Sequence, residues 1–317
     1  MLNVDAHLHL GGAIPCGFVW DTIQRHGLKH LAESETDVRC QMTFCEGEAR
    51  TFHRFLDKFR ILDELPWTPE LIDGSIKAVC DQFRVDGIDY AWVDFSINKY
   101  MKIGWHKTEA IQFIRDSFDR HYPGRAGLIL SLKYESMRAS QRQYAKLIED
   151  PVAAACLVGL DLVGDEEYFD ADFYEPIFKD WNAAGKVTRC HVGESKSRDN
   201  IFAAMKTLKV TNVAHGFKIM EDPEMVAWAR DAGVTFDLAL TSNDVTGVWP
   251  LSSRHPVHAM LAAGLRCTLG SDDPVQCGTT LDREFEIVTQ AGVSSVDLGW
   301  MREVAWENFE KSLRNLR

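Results

Sequence analysis

Short apolar runs rich in β-branched and aromatic residues recur along the chain at residues 90–96, 126–132, 156–162, 187–192, 210–215, 234–240 and 266–271. Between several of them the apolar positions fall three and four apart, over residues 108–121, 140–148, 201–208 and 223–232. The first pattern predicts buried strands and the second amphipathic helices. An eighth strand is predicted at the start, where His7 and His9 alternate with Leu8 and Leu10 in Asp5-Ala-His-Leu-His-Leu-Gly-Gly-Ala13. In extended backbone the two imidazoles point to one side and the two leucines to the other.

Eight strands alternating with helices predict an α/β fold, a single (β/α)8 TIM barrel domain over residues 1–317. No internal repeat or Pro/Gly/Ser-rich linker divides the chain. Residues 15 to about 83 lack a strand pattern, which predicts a helical insertion after strand 1 that packs over one mouth of the barrel. Within it Phe52, Phe55, Leu56, Phe59 and Leu62 form an apolar stripe at helical spacing. Core packing is the favoured reading of that stripe, ahead of a substrate-facing wall.

Composition mainly excludes. With 45% hydrophobic and 26% charged residues the chain is of ordinary globular type. A net charge of −12 without any long basic run argues against a nucleic-acid partner. No apolar run approaches the length of a membrane span. Eight cysteines without a Cys-x-x-Cys pair read as reduced thiols. A strand that begins almost at Met1 leaves no room for a signal peptide, so a cytoplasmic location is expected.

In a closed parallel barrel the reactive side chains sit at the carboxyl ends of the strands. His7 and His9 end strand one, His191 ends strand five, His215 ends strand six, and Asp272 and Asp273 follow strand eight. Three imidazoles and a carboxylate suit zinc and leave room for a water. His7, His9, His191 and Asp272 are therefore the predicted ligands of one Zn2+ per chain, which would yield a hydroxide near neutral pH. Glu194, in His191-Val-Gly-Glu194, lies three residues beyond a ligand and is predicted to exchange a proton with a bound substrate. His215, in Ala-His-Gly, is positioned to orient the hydroxide or share its proton. Alone, a loop glutamate is usually solvated and a strand-end histidine usually a satisfied core residue. Their position beside strand-end ligands favours the chemical reading.

These residues belong to a longer series: His-Leu-His-Leu-Gly-Gly-Ala-Ile (7–14), Thr-Phe-His-Arg-Phe-Leu-Asp-Lys-Phe (51–59), Gly-Leu-Asp-Leu-Val-Gly-Asp-Glu (159–166), His-Val-Gly-Glu (191–194), Ala-His-Gly (214–216), Ser-Asn-Asp-Val-Thr-Gly-Val-Trp (242–249) and Leu-Gly-Ser-Asp-Asp-Pro (269–274). In these motifs and their order the chain resembles the adenosine deaminase family. The resemblance implies a zinc-dependent barrel that hydrolyses the exocyclic amino group of a small-molecule purine. By it, His7, His9, His191 and Asp272 hold zinc, Glu194 shuttles a proton to purine N1, and His215 positions the attacking hydroxide. Asp273 is expected to hydrogen-bond N7, and the Gly164 backbone N–H to reach N3. Trp249, inside a matching motif, is a further candidate.

The departures bear on the substrate. Where the family carries an acidic residue that holds the ribose 5′-hydroxyl, this chain has Gly11. The family's Glu-x-Arg after strand two appears as Asp94-Phe-Ser96, its Met-Arg after strand three as Lys133-Tyr134, and a common Cys-Pro-x-Ser as Leu238-Ala-Leu-Thr-Ser242. The expected function is deamination of an adenosine-like nucleoside. A nucleoside monophosphate or N6-modified purine is the alternative, since a carboxylate at position 11 would repel phosphate and Lys133 would face it. Another amidohydrolase substrate, or a non-catalytic purine-binding protein, ranks lower. The acidic run Asp165-Glu-Glu167 is read as a solvated loop face.

Overall fold

The computed structural model describes residues 2–101, 103–195 and 197–316. Eight strands, β1 (Val4–His9), β2 (Tyr90–Phe95), β3 (Ala126–Lys133), β4 (Leu157–Val163), β5 (Val187–Val192), β6 (Asn212–His215), β7 (Thr235–Leu238) and β8 (Arg266–Leu269), pair in chain order. Every pairing is parallel. The ring closes just beyond β8, where Asp272 N–H donates to the His7 carbonyl at 2.7 Å and His9 N–H donates to the Asp272 carbonyl at 2.8 Å. The fold is a (β/α)8 barrel.

Two predicted elements, residues 187–192 and 223–232, coincide with the observed ones. The helix Pro223–Ala232 shows why. Asp222 caps the N–H groups of Glu224 and Met225, Pro223 fits the first turn, and Gly233 at φ +71° ends it. The last three strands are shorter than their apolar runs. β6 is shorter at its start, where residues 210–211 lie outside the strand, whereas β7 ends where Ala239 takes the N-cap position of the helix Leu240–Val245, and β8 ends ahead of Asp272 at φ +60°.

Five helices between β1 and β2, Cys16–His26, Glu35–Met42, Phe52–Asp57, Arg60–Asp63 and Pro69–Val85, fill the stretch without strands. The C-terminal helix Ser295–Arg314 covers the opposite side, where Ala305 and Phe309 pack on Val4, Ala6, Trp92, Ile129 and Val158. Trp92 Nε1–H donates there to Ser312 Oγ at 3.1 Å. No helix among the described residues is long and apolar enough to cross a membrane.

The barrel interior is not wholly apolar. Arg189 of β5, fully buried, pairs with Asp161 of β4 at 2.7 Å, with Asp94 of β2, and with Asp237 of β7 at 3.3 Å. β2 and β7 are not neighbours of β5, so these contacts cross the interior. Burial disfavours the guanidinium charge, but the three carboxylates outweigh it and hold Arg189 firmly protonated.

Candidate active site

At the carboxyl end of the barrel, His7 Nε2 lies 2.9 Å from His191 Nε2 and 3.4 Å from His9 Nε2, and the last two are 3.2 Å apart. Asp272 Oδ1 lies 3.4 Å from His7 Nε2 and 3.2 Å from His9 Nε2. The four ligand atoms fall within 4.8 Å of one another. A tetrahedral zinc with ligands at about 2.0–2.2 Å separates them by about 3.4 Å, so the cluster has the right size.

The donor inventory fits a cation. His191 Nδ1 faces two acceptors, Asp161 Oδ1 at 3.2 Å and the Leu162 carbonyl at 3.1 Å, so it carries the ring's proton and leaves Nε2 as a lone pair. Burial pulls His9 down, but Asp273 and Asp272 overcome it and push its pKa up to about 10, so the cluster favours positive charge at that nitrogen. Burial disfavours the Asp272 carboxylate, yet His7 and His9 hold it ionised, well below the usual range. His7, His9, His191 and Asp272 are thus able to hold a metal ion.

Two of the central residues sit in left-handed backbone, His215 at φ +61° and Asp272 at φ +60°. Non-glycine residues at positive φ carry strain that surrounding structure must hold. At Asp272 the neighbours are visible: Asp5 Oδ2 accepts from Ser271 Oγ at 2.6 Å and Oδ1 from Ser271 N–H at 3.1 Å.

His215 Nε2 lies 3.7 Å from Glu194 Oε2 and 3.8 Å from Asp272 Oδ2, which joins the acid candidate to the metal cluster. Glu194 is 8% exposed, and burial raises its pKa. Its turn is clamped by Glu166, which accepts from Gly193 N–H at 2.8 Å, Ser195 N–H at 3.1 Å and Asn200 Nδ2 at 3.0 Å. Glu166 is buried, so the reading of Asp165-Glu-Glu167 as a solvated face is corrected for this residue. Its burial follows from the donors that residues 193–200, after β5, present to it.

His9, His191, Asp272, Glu194 and His215 line one cavity of about 380 Å³ together with Gly164, Asp273, Gly11, Gly12 and Lys133. Asp273 Oδ1 is buried with no hydrogen-bond partner among the described residues, and burial raises its carboxyl well above the usual range. Gly12 makes the room for it, since a Cβ there would lie 1.8 Å from that oxygen. Gly164 stands at φ +100°, where a Cβ would meet Glu135 Oε2 at 2.3 Å. At Gly11 a Cβ would meet nothing within 4 Å, so the position of the family's acidic residue is open space.

Phe52, Phe55, Leu56, Phe59 and Leu62 line the same cavity. The stripe thus borders the cavity and is also core, since Leu62 is buried in the main core and Phe55 packs on Val245 and Cys277. Helical spacing fixes that one face is apolar; what it meets depends on how the insert docks. Trp249 meets Phe217 and His255 edge-to-face and is not among the cavity residues. Asp94, read as a changed rim residue, borders the cavity and pairs with Arg189. Sequence reasoning missed Asp161 and Asn243 as partners of the site histidines His191 and His215, and Arg189 as the partner of Asp161. The available signal was a charged residue in mid-strand, such as Arg189 two places before His191 on the same face.

A family model described as adenosine deaminase matches residues 3–313. The chain is 25% identical over 309 residues to an adenosine deaminase of Shewanella denitrificans, covering 94% of this chain and 91% of that protein. It superposes on an amidohydrolase from Burkholderia ambifaria, solved with bound zinc, with TM-score 0.84, 20% identity, and coverage of 97% of this chain and 85% of that one. The N6-methyl-AMP deaminase of Arabidopsis thaliana gives a TM-score of 0.81 at 18% identity, covering 99% and 95%. At those identities the two superpositions speak for the shared fold alone.

Proposed function

The chain belongs to the adenosine deaminase family of metal-dependent hydrolytic deaminases, and we propose that it converts an adenosine-like purine nucleoside to its 6-oxo form with release of ammonia. One zinc ion per chain would be held by His7, His9, His191 and Asp272. When bound, the ion supplies Lewis acidity that brings the pKa of a water down to about 7.

The remaining steps belong to the protein's own groups. Glu194, whose carboxyl burial raises, holds the proton that purine N1 takes as C6 is attacked. His215 positions the attacking oxygen. Asp273, whose carboxyl burial raises above the usual range, hydrogen-bonds N7, which has only a lone pair to offer. The Gly164 N–H reaches N3. The observation that carries this reading is the convergence of a raised, buried Glu194 on His215 at 3.7 Å, beside the four-ligand cluster and inside one cavity.

Open space at Gly11 and the cationic Lys133 on the cavity wall favour a second reading, a nucleoside monophosphate or N6-modified purine. Both are tested by amine release from zinc-loaded protein on adenosine, 2′-deoxyadenosine, adenosine 5′-monophosphate, adenine and N6-methylated analogues, with Glu194→Gln as control. Turnover of a nucleoside supports the first reading, and preference for the monophosphate or a methylated purine the second. No reaction with metal bound overturns both.

A further inference from the structure

A buried polar chain runs from behind the cavity to His215. The Val257 N–H donates to His255 Nδ1 at 3.1 Å, His255 Nε2 lies 3.4 Å from Asn243 Nδ2, and Asn243 Oδ1 lies 2.9 Å from His215 Nδ1. Asn243 is fully buried and His255 is 4% exposed.

A backbone N–H can only donate, so His255 Nδ1 is bare. Burial lowers the His255 pKa to about 4, which leaves the ring neutral at pH 7 with its single proton on Nε2. That proton points at the Asn243 amide. With Nδ2 toward His255, two donors would meet face to face, so the amide must offer its oxygen there instead. The two ends of an amide are nearly alike in size, and the reversal needs no extra room. Asn243 Nδ2 then faces His215 Nδ1, which must accept.

We propose that His255, acting through Asn243, fixes the His215 proton on Nε2, so that His215 meets the reacting oxygen as a hydrogen-bond donor and not as a base. The surroundings of Nε2 agree, because the groups facing it are the carboxylate oxygens Glu194 Oε2 at 3.7 Å and Asp272 Oδ2 at 3.8 Å. Proton exchange with the substrate then falls to Glu194. Asn243 and His255 are positioning residues, since neither is among the residues that line the cavity. The role toward the reacting oxygen rests on the deaminase reading, whereas the position of the proton does not.

The test is long-range proton–nitrogen correlation NMR on the zinc-loaded full chain labelled with 15N-histidine, with the His215 signals identified by their loss in His215→Gln. The expected pattern is an unprotonated Nδ1 and a protonated Nε2. In Asn243→Asp both side-chain oxygens accept from both rings, so the His215 pattern inverts to a protonated Nδ1. A wild-type His215 that is protonated on Nδ1, or on both nitrogens, overturns the proposal, and so does an unchanged pattern in Asn243→Asp. If that variant does not fold, the wild-type spectrum decides alone. Absence of turnover on the purine panel would sink the deaminase reading and leave this spectrum unaltered.

Discussion

Asp161 joins His191 to the centre of the barrel. One carboxylate oxygen accepts from His191 Nδ1 at 3.2 Å, and the other accepts from Arg189 Nε at 2.7 Å. Burial disfavours the Asp161 charge, but Arg189 and then His191 overcome it and hold the carboxylate ionised. Outer partners of this kind orient a ligand ring and raise its basicity. Asp161→Asn is expected to weaken zinc binding by roughly 10- to 100-fold while the protein stays folded. Competition with a chromophoric chelator measures it, and an unchanged affinity would remove Asp161 from the support of the metal site.

Arg189 is the guanidinium shared by Asp94, Asp161 and Asp237 in a site closed to solvent. Arg189→Met leaves three buried carboxylates without it and is expected to cost about 3–5 kcal/mol. The pH dependence has a definite sign. Asp94, raised by burial against the pull of Arg189, stands at about 7 even with its partner present. A carboxyl raised on folding stabilises below its unfolded value near 4 and loses that contribution as pH rises through the folded value. Without the guanidinium the folded values rise further, so the deficit should be smallest near pH 5 and grow toward pH 8. Urea denaturation across that range checks it; a deficit independent of pH would contradict the charge argument.

Glu194→Gln keeps the shape of the side chain and removes its proton exchange. The expected loss in kcat is on the order of 10²–10⁴-fold, with zinc content unchanged by elemental analysis. With Glu194 in the proposed role of acid and its pKa raised by burial, the wild-type rate should fall as pH rises through that raised value. The residual rate of the variant should lack this limb. Retention of it would mean that another group delivers the proton.

Gly12 leaves room for Asp273, since a Cβ at position 12 would sit 1.8 Å from Asp273 Oδ1. Gly12→Ala must displace that carboxyl. A shift near 1 Å in a positioning group costs about 10²-fold, so kcat/KM should fall by that order while metal content stays constant. If Asp273→Ala then adds little on top of Gly12→Ala, the two act on one contact. Simple additivity of the two losses would show that Gly12 acts elsewhere.

Much of this protein is written locally. Alternation of apolar strands with helical periodicity specifies eight units and a parallel sheet, because buried strands and amphipathic helices need nothing beyond neighbouring residues to declare themselves. The His7-x-His9 pair, the His191-to-Glu194 spacing and the Asp272-Asp273 pair are likewise short-range, and the strand-end rule assembles them into one site before any coordinates exist. Elements bounded by local signals, such as Asp222-Pro223 and Gly233, carry their own ends.

Other features depend on barrel closure. Arg189 meets Asp94 and Asp237 only because β2 and β7 curve around to face β5, and no spacing along the chain encodes that approach. Glu166 belongs to an acidic run that reads as solvated in sequence, yet residues 193–200 fold over it and supply its donors. The Phe52 stripe advertises an apolar face, but docking of the insert over the mouth decides that this face borders the cavity. The left-handed backbone at His215 and Asp272 shows only in three dimensions, as does the contact of His215 with Asn243, 28 residues on. Sequence thus determined which groups exist and which end of each strand they occupy; the tertiary structure decided which of them touch, since contact across a barrel is a property of its closure.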